Sequence, residues 1–330
     1  MPSNSSVMKQ FFCPSKPQLT VEHLPDLTDK VTQFPAEMSP FGISLGKEIA
    51  QALYSKNARV YMMARSEIKT KGAMESIKTN NPSSKGELQY IHLDLSDLTT
   101  IKSSVNQFLQ KEPNLHLLYN NAGVGYPEKG SKTKQGYELQ LGVNCVGPFL
   151  FTKLLMPALT STAKISPKHS VRIVWVSSSA AESFDPELFM ETLPKIDDVG
   201  QLDQYNVSKM GNYLHACEFA RQYKESGVLS VSLNPGALDS DFWRSQGKVT
   251  LTLLRSTVLH PPIYGAYTAL FAGFTPQITS ENSGSYVAPW GKIWKLQQDM
   301  LDAAKTKEEG GTGVAKAFWD WSEEQVKPYV

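Results

Sequence analysis

Short apolar runs bounded by turn residues alternate with helix-period segments along most of this chain, and that alternation narrows the possible folds more than any other feature. A chain that keeps returning in one direction through a helix builds a parallel sheet with helices on both faces. ARVYMMA (Ala58–Ala64), LQYIHLDL (Leu88–Leu95), LHLLYNNAG (Leu115–Gly123), VRIVWVSSS (Val171–Ser179) and VLSVSLNPG (Val228–Gly236) read as buried strands, and SGSYVAP (Ser283–Pro289) as a last one. Between them, Lys47–Lys56, Leu98–Lys111, Cys145–Leu159 and Tyr205–Tyr223 have helical period. The expected architecture is α/β: one doubly wound Rossmann-type domain over 27–330, after an irregular arm at 1–26, with a tail helix closed by Pro328. No linker that would divide it precedes residue 240.

Each strand ends in polar or small residues, which is where open α/β sheets place ligands. Asp94 follows YIHL, where a carboxylate accepts from an adenine amino group or caps the next helix. NNAG (Asn120–Gly123) ends a strand with residues small enough for a nucleotide to approach the backbone. Asn144 lies inside or just before a helix, and Ser177–Ser179 end the next strand. YNVSK opens a helix and puts Tyr205 and Lys209 on one face. A phenol is a poor base at neutral pH, and an ammonium beside it should depress its pKa. The set fits general acid–base catalysis of hydride transfer between a carbonyl and an alcohol. Each member alone also has an ordinary reading: a chance Tyr-x-x-x-Lys, turn-forming serines, a capping Asn. Their ordered conjunction is what carries the argument.

With these motifs the chain resembles a short-chain dehydrogenase/reductase of a retinol-dehydrogenase-like branch met in fungal biosynthesis. The similarity runs from about Leu27 to Gly291 and rests on ALYSKNARVYMMARS, HLDLSD, LYNNAGV, RIVWVSSSAAE, YNVSKMGN and SLNPG. It implies a single domain of about seven parallel strands and a catalytic tetrad of Asn144, Ser178, Tyr205 and Lys209. Ser178 is preferred among the three serines as the second of the pair after the strand. The resemblance assigns cofactor contacts to Ser44, Leu45, Gly46, Arg65, Asp94, Leu95, Asn121, Ala122, Pro235, Leu238 and Ser240, with Tyr205 and Lys209 shared. Arg65, where NAD-selective members carry an acid, suits a 2′-phosphate, so NADP(H) is the expected cofactor. A solvated surface arginine is the alternative. The long interval before Tyr205 is expected as a loop over the site, and Ala237–Pro262 as a substrate lid.

One stretch departs from that pattern. In SPFGISLG (Ser39–Gly46), Pro40 and Ser44 take the places of the first two glycines of the family's phosphate turn, and only Gly46 stays in register. Pro35 also falls where a central first strand should run, which makes KVTQF a weak strand. Three explanations stand: a variant turn that still binds NADP(H), a redox-neutral isomerase or cyclase on the same fold, or a misjoined exon boundary over about residues 32–43. A non-catalytic relative that keeps the fold is a further alternative.

Composition excludes other classes. Lys and Arg number 33 against 32 Asp and Glu, a net charge of +1 that gives no case for nucleic acid. Cys13, Cys145 and Cys217 form no metal or disulfide pattern, and no leader is read at the N-terminus, so a cytoplasmic location is expected. No run of about 18 apolar residues occurs in the sequence, so no transmembrane helix is expected, and no metal. The partner is a small molecule, and an oligomer is compatible. Phe242, Trp243 and the lid leucines suggest an apolar or aromatic carbonyl or alcohol, although the same residues suit core packing.

Overall fold

The parallel strands and their crossovers account for most of the structure, a computed structural model that describes residues 5–12, 14–35, 44–240 and 248–330. Its sheet contains β1 (Val31–Pro35), β2 (Arg59–Ala64), β3 (Glu87–His92), β4 (Leu117–Asn120), β5 (Arg172–Val176), β6 (Leu229–Leu233), β7 (Tyr286–Ala288) and β8 (Lys292–Trp294). They pair in the order β3-β2-β1-β4-β5-β6-β7-β8, parallel except for the antiparallel β7–β8 edge. Seven parallel strands were expected, and the eighth is a short hairpin partner. The order reverses between β1 and β4, so a ligand crevice opens beyond their carboxyl ends.

β1 is a full central strand, paired with both β2 and β4. Pro35 ends it, beyond the positions that pair with β4, so its missing N–H falls at the strand exit. Burial overrides weak local propensity here: every residue of Val31–Pro35 is buried, and the Phe34 ring stacks on Tyr119 of β4 at 4.8 Å.

On one face of the sheet lie α2 (Leu45–Ser55), α3 (Glu67–Asn80) and the later helix Pro262–Phe274, packed on Phe34, Val60, Met62, Val174 and Val231. On the other lie α4 (Leu98–Leu109) and α5 (Leu139–Ile165), packed on Tyr61, Met63, Leu118 and Trp175. α6 (Gln201–Gln222) is buried all round from Asn206 to Ala220, because a third layer covers its outer side. That layer contains the C-terminal helix Val314–Val326, whose Phe318 stacks on His215 of α6 at 4.4 Å.

The helix Leu139–Ile165 is long and apolar enough to cross a membrane by length and composition, but 83% of its most apolar stretch is buried inside the fold. Two expectations need correction. The stretch before Tyr205 is a chain of short helical turns (Ser179–Ser183, Pro186–Leu188, Phe189–Thr192 and Leu193–Asp198), not a loop. Phe189, Leu193 and Ile196 anchor it in the core beside Phe318. The N-terminal arm is not irregular throughout: Ser5–Phe12 forms a helix, α1, and Val21–His23 a single 3-10 turn. Cys13, Ser39–Ile43, Phe242 and Trp243 lie outside the described residues.

Candidate active site

Five strand ends converge on the crevice, and each delivers a side chain for a local reason. After β5 the three serines part ways. Ser177 Oγ donates to the Lys209 carbonyl at 2.6 Å, and Ser179 is buried. Ser178 caps the turn Ser179–Ser183, accepting from the Ala180 N–H at 3.2 Å, and its hydroxyl also bonds Tyr205. Of the three, Ser178 therefore faces the phenol.

Tyr205 lies one turn inside α6 and does not open it, because the helix begins at Gln201. Its ring stacks on Tyr126 at 5.4 Å. Tyr126 has φ +50°, an unusual backbone for a tyrosine, and Gln140 Oε1 accepts its N–H at 3.0 Å. Lys209, four residues on, is buried, with Nζ 5.8 Å from the Tyr205 ring centre and donating to the Val176 carbonyl at 3.0 Å. Burial pushes its ammonium down to about 8.

The expected depression of the Tyr205 pKa does not occur. Burial raises it, opposed by the Ser178 hydrogen bond. The reason is geometric: the ammonium is turned toward Val176, 5.8 Å from the ring centre, and its own charged form is disfavoured.

Asn144 sits in a π-helical turn, Gly142–Val146, within α5. Such turns recur at functional sites because the extra residue re-aims a side chain. The Asn144 amide grips Val124, accepting from its N–H at 2.8 Å and donating to its carbonyl at 2.9 Å, and also donates to Ser208 Oγ. Gly123 lies close against Asn144 and Lys209. A Cβ at that position would lie 3.1 Å from Asn144 Oδ1 and 3.4 Å from Lys209 Nζ.

Beside this cluster lies a cleft of about 450 Å³. Arg65, Asp94, Leu95 and Ala122 line it, as the sequence reading expected of cofactor contacts. It also contains Gly123, the last residue of NNAG, and Ser66 and Lys69, which that reading missed. Ser66 caps α3 and Lys69 occupies its first turn, so recognising a helix start after MMAR would have found both. Asp94 is not the cap of α4: Asp97 is, accepting from the Thr99 N–H at 3.1 Å. The Asp94 carboxylate instead accepts from the Ser96 N–H and hydroxyl at the cleft wall.

The other expected contacts are spread around the crevice. Ser44 caps α2, Gly46 is buried in its first turn, and Leu45 meets Leu238 at Gly265, where a Cβ would collide with both leucines. Asn121 ends β4 beside the cleft, its N–H donating to the Tyr119 carbonyl. Pro235, Leu238 and Ser240 follow β6. Among the described residues no cluster could hold a metal ion.

A short chain dehydrogenase family model matches residues 42–190. A short-chain dehydrogenase/reductase of Phomopsis amygdali is 49% identical over 322 residues, covering 96% of this chain and 95% of that protein. Among solved structures, the chain is similar in fold to 3-ketoacyl-(acyl-carrier-protein) reductase from Brucella melitensis complexed with NADH. Its TM-score is 0.59 at 20% identity, over 78% of this chain and 96% of that one. It is similar also to the Pseudomonas aeruginosa RhlG/NADP active-site complex, with a TM-score of 0.58 at 21% identity, over 77% and 94%.

Proposed function

The chain belongs to the short-chain dehydrogenase/reductase family, and from that premise we propose that it is an NADP(H)-dependent reductase of a small ketone or aldehyde. The family uses nicotinamide cofactors and acts on small molecules. The observation that carries the finer reading is the Ser178–Tyr205–Lys209 cluster, whose Lys209 adjoins Gly123 in the wall of a cleft that also contains Arg65 and Lys69.

The cleft suits the cofactor on its own chemistry. Arg65 and Lys69, with the Ser66 hydroxyl between them, make a donor set for a 2′-phosphate at the end of β2. Asp94 and Leu95 would meet the base, and the Gly123 backbone leaves room for the ribose beside Lys209. Ser44 to Gly46 open α2, whose N-terminus favours an anion. When bound, the cofactor supplies a hydride to the substrate carbonyl carbon.

The chain's own residues handle the proton. Ser178 and Tyr205, already hydrogen-bonded to each other, would share the substrate oxygen between two hydroxyls. Tyr205 gives its proton as the alkoxide forms, and Ser178 holds the oxygen in line. The raised phenol pKa keeps Tyr205 protonated across the neutral range, which suits an acid and favours reduction over oxidation. Lys209, 5.8 Å from the Tyr205 ring centre, and Asn144, its neighbour at Gly123, would return a proton to the phenol from water.

Titration of purified protein with NADPH, followed by fluorescence, tests the cofactor reading, with NADH as comparison. Saturable NADPH binding with weaker NADH binding supports it; no binding by folded protein overturns it. The replaced glycines of Ser39–Gly46 favour a second reading, redox-neutral acid–base chemistry by Tyr205. Turnover without consumption of NADPH would establish that reading instead.

The pH profile gives a further expectation. Lys209 is charged below about 8 and neutral above it. If its ammonium supports proton return, kcat/KM for reduction is level below that pH and falls above it. In Lys209→Met that limb disappears and the overall rate is low. A wild-type profile level from pH 6 to 10 would remove Lys209 from the proton path.

A further inference from the structure

The matched family model begins at residue 42, yet α1, formed by Ser5–Phe12, reaches the site from the other end of the chain. It packs on the turn Ser179–Ser183, the segment capped by Ser178. Its contact is polar and buried. Gln10 Nε2 donates to Glu182 Oε1 at 2.5 Å, and Ser6 Oγ donates to Glu182 Oε2 at 2.9 Å. The other end of the same amide accepts: Asn234 Nδ2 donates to Gln10 Oε1 at 3.0 Å, and the Tyr286 hydroxyl at 3.4 Å.

One side chain therefore spans two strand ends. Glu182 belongs to the turn after β5 that presents Ser178, and Asn234 begins the loop after β6. Asn234 also orders that loop, since its Oδ1 accepts the Gly236 N–H at 2.9 Å. Gln10 is 3% exposed, Glu182 2% and Asn234 4%, so none of these polar groups has water as an easy substitute partner. A buried donor or acceptor left unpaired is costly, and losing Gln10 would take from the Asn234 amide the acceptor it donates to and leave Glu182 held by Ser6 and Gln297. Ordinary surface docking of an N-terminal helix needs no such insertion.

We propose that Gln10 is a positioning residue of the active site, and that α1 is a clamp holding the Ser178 turn and the Asn234–Gly236 turn in one register. Neither end of the Gln10 amide touches the cleft at β2, so the clamp acts on the substrate-oxygen side and not on cofactor affinity. The kinetic part of this proposal rests on the reductase reading above; the structural part does not.

Gln10→Ala in the full chain tests it, with exposed Lys9→Ala on the same helix as control. Hydrogen exchange at Ala180, Ala181 and Gly236 should quicken roughly tenfold or more in Gln10→Ala and stay unchanged in the control. With a carbonyl substrate that the wild type reduces, kcat should fall roughly ten- to hundredfold, because displacement of the oxygen-holding group by an ångström is enough. NADPH affinity should stay within about twofold. Ser6→Ala, which removes one donor to Glu182 and leaves the Gln10 bridge, should move the same readouts by less and remains informative if Gln10→Ala does not fold. Unchanged exchange at both turns, or a lowered melting temperature with kcat intact, overturns the clamp. If the wild type shows no NADPH-dependent turnover, the reductase reading fails, and the exchange arm alone still decides the clamp.

Discussion

Tyr205→Phe is expected to lower the reduction rate by about 10²- to 10⁴-fold, the usual worth of a positioned general acid. The protein should remain folded. The phenyl ring keeps the stack with Tyr126 at 5.4 Å, while the hydroxyl and its bond to Ser178 are lost. NADPH affinity should change little, because the cations that line the cleft are untouched. Ser178→Ala should cost less, since the phenol can still deliver its proton while the second hydroxyl is missing. Single-turnover rates with NADPH and a carbonyl substrate would measure both. A Tyr205→Phe variant with wild-type turnover would mean that the phenol is not the proton donor, and a scaffold role or another acid would have to be sought.

Arg65→Asp should reverse the cofactor preference. Hydrogen bonds between charged groups contribute about 1.5–3 kcal/mol, so losing one to a 2′-phosphate predicts about 10- to 150-fold weaker NADPH binding. The new carboxylate would repel the phosphate and accept from a ribose 2′-hydroxyl, so NADH should bind better than to the wild type. Lys69→Ala should weaken NADPH alone and by less, because an exposed ammonium in the first turn of α3 is a solvated point charge. Affinities for both cofactors at low and physiological salt would separate these effects. An unchanged NADPH-to-NADH ratio in Arg65→Asp would make Arg65 a surface cation with no part in selectivity.

Much of the fold was legible because its signals are local. The strands after Ala58, Leu88, Leu115, Val171 and Val228 are continuous apolar runs ended by turn residues, and each forms within a few residues of where the sequence places it. α3 was missed because its apolar face is thin: only Thr70, Ala73, Met74 and Ile77 are buried, and its apolar Ile68 is exposed. With α3 went Ser66 and Lys69. The start of α6 was set four residues late, since Gln201–Gln204 have no apolar period and the helix there is fixed by its surroundings. β1 looked weak because Pro35 falls in it, yet the proline ends the strand, and its polar Thr32 and Gln33 are buried between two neighbouring strands.

What the sequence by itself determined is the order of strands and helices and the address of each polar strand end, because period, turn chemistry and motif spacing are properties of neighbouring residues. Tertiary structure alone decided that Ser177 and Ser179 turn away while Ser178 bonds Tyr205, and that Lys209 turns its ammonium to Val176 with its pKa lowered by burial to about 8. It alone brought Gln10 to Glu182 and Asn234, across 172 and 224 residues of chain. Burial and contacts of that range arise only when the layers close, and desolvation then sets both the proton affinities and the demand that every buried polar group find a partner.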